Sequence, residues 1–136
     1  MKTLLYCDCN DNACFLIELI THINRMSLHI KEWEVSSLDM VTKIQEDYSG
    51  VGGSICSDIE NTFLLAQKVD TEYCVAMPSD ELIRHLTNVK TVYEGQFRAV
   101  GSTEIIIVYD GDIFELYGVS SRIINDILSK HKCKEI

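Results

Sequence analysis

The sequence predicts an α+β domain: a mixed, partly antiparallel sheet with a C-terminal β-hairpin, covered by about five helices. Three observations predict it. Apolar residues recur at helical spacing in some windows and alternate in others, so helices and strands are interspersed along the chain. Asp110-Gly111, a strong tight-turn dipeptide, joins two runs rich in β-branched and aromatic residues. The 136 residues are 46% hydrophobic with a single Pro and seven Gly, which suits one globular domain over residues 1–136 and excludes disordered and collagen-like classes.

Thr3 to Cys7 reads as a short strand, ended by the turn-rich run 8–12. A helix follows, with Asp11 or Asn12 as its expected cap. Its stripe is Ala13, Leu16, Ile17, Ile20 and Ile23, widened by Phe15 and Leu19. The apolar residues of 28–35 change face midway, as in an edge strand or a bulge. Ser36-Ser37 is expected to cap a helix carrying Met40, Val41, Ile44 and Tyr48. Residues 49–54 are a Gly-rich loop, and Ser57-Asp58-Ile59-Glu60 has the form of a capping box opening the next helix. Glu72 to Met77 is a strand stopped by Pro78, and Ser79 caps a short helix over 80–86. Val89, Thr91 and Tyr93 alternate as a strand would. Residues 104–109 and 112–117 form the hairpin about Asp110-Gly111. Ser120 then caps a final helix with Ile123, Ile124, Ile127 and Leu128 on one face, and Val119 with Ile124 has the spacing of a hydrophobic staple.

Twelve basic against 21 acidic residues give a net charge of −9. That field repels phosphate backbones, so nucleic acid is excluded as a partner, whereas a basic protein partner is compatible with it. The basic cluster Lys130, His131, Lys132 and Lys134 is expected in the last turn of a helix, where cations complement the dipole. No apolar run approaches the roughly 18 residues needed to span a bilayer, and the N-terminal run breaks too soon for a signal peptide. The six cysteines, at 7, 9, 14, 56, 74 and 133, lack the density of a secreted scaffold; Cys14 and Cys74 sit in apolar runs. Reduced thiols and a cytoplasmic setting are expected.

Four constellations bear on chemistry. Cys7, Cys9, Cys14 and His22 are soft donors, but Cys14 and His22 stand about 12 Å apart in helical rise, so no metal site and no cofactor are expected. Cys14 near a helix start has a dipole to lower its pKa, yet nothing singles out His22, His29, His85 or His131 as its base. Gly53-Ser54 followed by Asp58 and Glu60 resembles a fragment of the nucleotidyltransferase signature. That resemblance implies Ser54 against a phosphate and Asp58 with Glu60 on magnesium, although the spacing is short and the acids fall on different sides of a helix start. Finally, Asp110 with Asp112, and Glu32 with Glu34 about Trp33, are acidic strips, the second carrying an aromatic anchor suited to a basic partner.

The hairpin with its following helix and lysine tail, together with the helix of Phe15 to Ile20 and the Trp33 segment, resembles small uncharacterised bacterial families. More loosely it is similar to the acidic immunity proteins that neutralise toxins. The resemblance covers about half the chain, by architecture, and implies a cytoplasmic bacterial protein that masks a partner's site. The expected function is therefore a non-enzymatic binding protein, immunity-like, meeting a basic partner through Glu32, Trp33, Glu34, Asp110 and Asp112. Two other readings stand beside it: a small nucleotide- or metal-dependent enzyme built on Gly50–Glu60, and a homo-oligomeric structural module.

Overall fold

A computed structural model of the chain describes residues 2–8, 11–43 and 54–136, without the side chains of 54–58. Strands form where side chains alternate between an apolar and a polar face, and the structure pairs seven of them into one sheet: β1 (Lys2–Cys7), β2 (Glu32–Thr42), β3 (Val75–Pro78), β4 (Val89–Ala99), β5 (Ile105–Tyr109), β6 (Ile113–Tyr117) and β7 (Cys133–Glu135). The order across the sheet is β3-β2-β4-β5-β6-β1-β7. Every pairing is antiparallel. The sheet is thus wholly rather than partly antiparallel among the described residues.

Four helices accompany it among the described residues: α1 (Asn12–Met26), α2 (Ser54–Glu72), α3 (Ser79–Leu86) and α4 (Ser121–Lys130). The fifth expected helix, over 37–48, is the second half of β2 as far as Thr42; residues 44–48 lie outside the described ones. Its helical look has a cause. A register shift between Val35 and Ser37 interrupts the period of two in β2, so the inward residues Val35, Leu38 and Met40 are spaced three and two apart. Nor is β2 an edge strand: β3 flanks it on one side and β4 on the other.

One apolar cluster fills the space between the sheet and its helices. Leu5, Phe114, Leu116, Ile106, Val108, Phe97, Val35 and Trp33 point into it from the strands. Phe15, Leu16, Leu19, Ile20 and Ile23 of α1 meet them, with Phe15 edge-on to Phe114 at 4.7 Å between centroids. The opposite sheet face carries half-buried or exposed residues throughout the middle strands, the pattern of an antiparallel sheet packed on one side.

Helix starts depart from expectation in instructive ways. Ser120 caps α4 as read from sequence, accepting from the Ile123 N–H at 3.4 Å, and Val119 and Ile124 are both buried. Asp11 occupies the cap of α1 but makes no side-chain cap hydrogen bond, and Asn12 is already helical, its amide reaching into the sheet instead. Helix α2 begins at Ser54, which places Ser57 inside the helix rather than at a capping box. Pro78, not Ser79, stands at the cap of α3. Of the C-terminal basic cluster only Lys130 belongs to α4; His131 caps it, and Lys134 lies in β7, 5.7 Å from the Tyr6 ring centre.

Four cysteines also correct the sequence reading. Cys7 and Cys133 face each other as a directly paired couple across β1 and β7, with Cα atoms 4.1 Å apart, and form a disulfide. Cys14 and Cys74 are exposed rather than core residues. Residues 49–53, the Gly-rich loop, and Cys9 lie outside the described residues.

Candidate functional site

The hairpin of β5 and β6 builds one wall of a cleft. Its turn runs Tyr109–Asp112, closed by the Asp112 N–H donating to the Tyr109 carbonyl at 3.2 Å. Asp110 and Gly111 both take positive φ, 53° and 79°, the conformation that an Asp-Gly pair tolerates best. The turn leans on β4, where the Gly111 N–H donates to the Tyr93 carbonyl at 3.0 Å. On the other side β1 ends beside it: the Cys7 N–H donates to the Asp112 carbonyl at 2.8 Å. These contacts gather Asp8, Asp110 and Asp112 around one concave space of about 440 Å³, with Tyr6, Thr91, Tyr93 and Lys90 on its walls. Among the described residues, three carboxylates and one ammonium line it. Asp110 is exposed and Asp112 half-buried, so both acids remain within reach of a partner.

Asp8 and the tyrosines complete a surface that sequence reasoning did not assemble, because it saw Asp110 and Asp112 as an isolated tip. The signal was present. Tyr6-Cys7-Asp8 ends the first strand, and an antiparallel partner for that strand would bring Asp8 beside the hairpin turn.

The other acidic strip does not survive as an aromatic anchor. Trp33 is fully buried, and its Nε1–H donates to Asn24 Oδ1 at 3.1 Å. A side chain inside the core cannot seat a partner. Period-two alternation places its neighbours on the opposite face: Glu32 is exposed, and Glu34 is half-buried. Glu34 accepts from Arg98 Nη2 at 2.8 Å and Nε at 3.2 Å across the β2–β4 pair. That guanidinium, with a hydrogen bond from Cys74, holds the Glu34 carboxyl below the usual carboxylate range; the same carboxylate pushes the Cys74 thiol up. Cys74 is thus a poorer nucleophile than an ordinary cysteine.

Of the nucleotidyltransferase-like residues, Ser54, Asp58 and Glu60 all fall on α2, and Glu60 is exposed. Asp58 and Glu60 thus stand two positions apart on a helix, whereas the signature's acids lie on a strand. Among the described residues no group of three His, Cys, Asp or Glu is placed to hold a metal ion. The histidines fall apart as well. His22 lies 3.1 Å from Asp126, and His131 lies 2.6 Å from Glu18, so both tie α4 to α1. His85 is buried under α2 beside Thr62 Oγ1, at 3.1 Å, far along the chain from Cys14.

A third surface went unread in the sequence although its strands were expected. On the sheet face away from the helices, Glu115 of β6 lies opposite Ile107 of β5 on one side and Leu4 of β1 on the other. The Tyr117 hydroxyl donates to its Oε1, and Tyr109 also hydrogen-bonds it. Both phenols titrate above their ordinary range: the hydrogen bond to Glu115 acts most strongly on Tyr117, and burial most strongly on Tyr109.

No helix among the described residues is long and apolar enough to cross a membrane. No protein-family model, curated protein or solved structure matches the chain, so its function is argued from its own geometry.

Proposed function

We propose that this chain is a non-enzymatic binding protein, immunity-like in acting by occlusion, which masks a basic protein partner with an acidic surface. The observation that supports this reading best is the hairpin-tip cleft, where Asp8, Asp110 and Asp112 converge with Tyr6 and Tyr93 about a concave space. Carboxylates on rigid strand ends attract a basic partner at long range and fix its register on contact. Tyrosines add contact area at low entropic cost and offer their faces to Lys or Arg. The net charge of −9 extends the same field over the whole molecule. We take the setting to be the cytoplasm of a bacterium, as the architectural resemblance implies.

The test is calorimetric titration of a decalysine probe, with decaglutamate as control, at two ionic strengths. Decalysine is expected to bind, more weakly at higher salt, and decaglutamate not at all. The variant carrying Asp110→Asn and Asp112→Asn keeps a turn-compatible residue at position 110 while removing both charges. It should bind decalysine about tenfold more weakly, each rim charge contributing a modest share. Unchanged affinity in that variant removes the cleft as the binding surface.

A further inference from the structure

Helix α2, strand β3 and helix α3 line a further cavity of about 370 Å³, at the sheet edge that β3 forms. It shares no lining residue with the hairpin-tip cleft. Its polar centre is His85, only 9% exposed. The ring is fixed from behind. Its Nδ1 lies 3.1 Å from the hydroxyl of the buried Thr62, and that oxygen accepts from Asn88 Nδ2 at 3.1 Å. Nε2 is therefore the nitrogen left for the cavity. Among the described residues it makes no hydrogen bond, and the one carboxylate near it, on Glu81, stands 4.0 Å away. A polar atom so enclosed is poorly hydrated, and a ligand that bonds it gains more than it would on an open surface.

The charge of the lining runs against that of the chain. The whole carries −9, yet the cavity holds Lys68 and Arg84 against a single carboxylate, Glu81. Burial, with the charge of Arg84, keeps the His85 ring below the ordinary histidine range, so at pH 7 it adds little to this sum of one positive charge. Among the described residues no carboxylate lies within 4.0 Å of Arg84, and Lys68 meets only Glu72, at 3.8 Å with both exposed. The remaining wall is largely aliphatic, with Leu65, Val75 and Met77 buried and Leu64 58% exposed along it.

These features select a ligand. A monoanion balances the lining, a dianion such as phosphate exceeds it and is repelled by Glu81, and an amine meets two cations. A carboxylate matches the planar fork of a guanidinium and has a second oxygen for the imidazole. The aliphatic wall favours an apolar chain behind that head. We propose that this cavity binds a small aliphatic monocarboxylate, with its head between Arg84 and His85 Nε2 and its chain along Leu64 and Met77.

The test titrates the isotope-labelled whole chain at pH 7 with hexanoate, acetate, inorganic phosphate and hexylamine, read by nuclear magnetic resonance. Hexanoate should move the ring resonances of His85, the Ala76 amide and the Leu64 and Met77 methyls, and hexylamine should not. Acetate, lacking the chain, should bind about tenfold more weakly. Arg84→Gln and Leu64→Ser both change exposed residues, so the fold is kept. Arg84→Gln should weaken hexanoate about tenfold through loss of the charge-assisted pair, whereas Leu64→Ser should weaken hexanoate and spare acetate. Hexanoate that leaves His85 unmoved, or binds Arg84→Gln as tightly as wild type, overturns the site. Phosphate binding as tightly as hexanoate overturns the ligand class and makes the cavity a general anion patch. Decalysine binding at the hairpin-tip cleft stands or falls separately.

Discussion

The Asn12 side chain holds both backbone groups of Val92, eighty residues away. The Asn12 Nδ2 donates to the Val92 carbonyl at 2.7 Å, and its Oδ1 accepts from the Val92 N–H at 2.7 Å. The same amide donates to the Gly111 carbonyl at 2.8 Å. One fully buried side chain therefore joins the start of α1, the irregular stretch of β4 and the hairpin turn that carries Asp110 and Asp112.

Replacing it should be costly. Asn12→Ala strands a buried N–H and two carbonyls, and should destabilise the fold by about 3 kcal/mol. Asn12→Asp should cost at least as much, because it removes the donors and sets a carboxylate against two carbonyls. Urea denaturation measures both, and a loss below about 1 kcal/mol in each would contradict this role.

His85 makes stability depend on pH. Burial, aided by the charge of Arg84, holds its imidazole below the ordinary histidine value, with Glu81 opposing. The unfolded chain takes up a proton near pH 6.5, before the folded one does. Stability from the neutral ring is therefore present above about pH 6.5 and is lost as pH falls through that value towards the folded pKa. His85→Gln should be less stable at pH 7 yet show a flatter profile between pH 7 and pH 5. Parallel profiles for the two proteins would refute the assignment.

The Cys7–Cys133 disulfide closes a loop spanning 126 residues. In the chain-entropy account a loop of that length stabilises by up to about 5 kcal/mol, with delivered values commonly between 2 and 4. Reduction by a dithiol should lower the urea midpoint, and Cys133→Ser should reproduce the shift and be insensitive to reductant. Alkylating thiols before lysis tests the setting as well: a cytoplasmic chain should carry the label at Cys7 and Cys133, an oxidising compartment should protect them.

Trp33 should behave as core. Trp33→Ala is expected to cost about 3–5 kcal/mol, and the fluorescence of this single tryptophan should be blue-shifted and poorly quenched by acrylamide. Glu32→Lys, by contrast, changes an exposed residue and should stay within about 0.5 kcal/mol of wild type. Efficient quenching would place the indole at the surface and restore it as an anchor.

Much of the fold was legible because local chemistry and tertiary demand agreed. Ser120 with Ile123, the apolar stripe of α1 and the Asp110-Gly111 turn each carried their signal within a few residues. The failures share a physical origin in distance along the chain. The bulge in β2 at Ser36 follows from its pairing with β4, and it turned a strand into an apparent helix. Strand β7 spans three residues, and pairing with β1, rather than propensity, makes it a strand. The acids at the hairpin tip could be named from sequence, whereas the convergence of Asp8 on them depends on β1 lying beside β6. Glu115 was hidden in a strand whose existence was clear but whose outward face had not been followed across its neighbours.

Strand β1 also sets the tempo of folding. It precedes the other described strands, and its partners β6 and β7 lie more than 100 residues later. Until they emerge from the ribosome, Leu4, Leu5 and Tyr6 have no edge to join, and α1 has no Phe114 for Phe15 to pack against. The sheet therefore closes by a late, long-range event, which implies slow assembly and a nascent chain whose first apolar strand needs shielding while it waits.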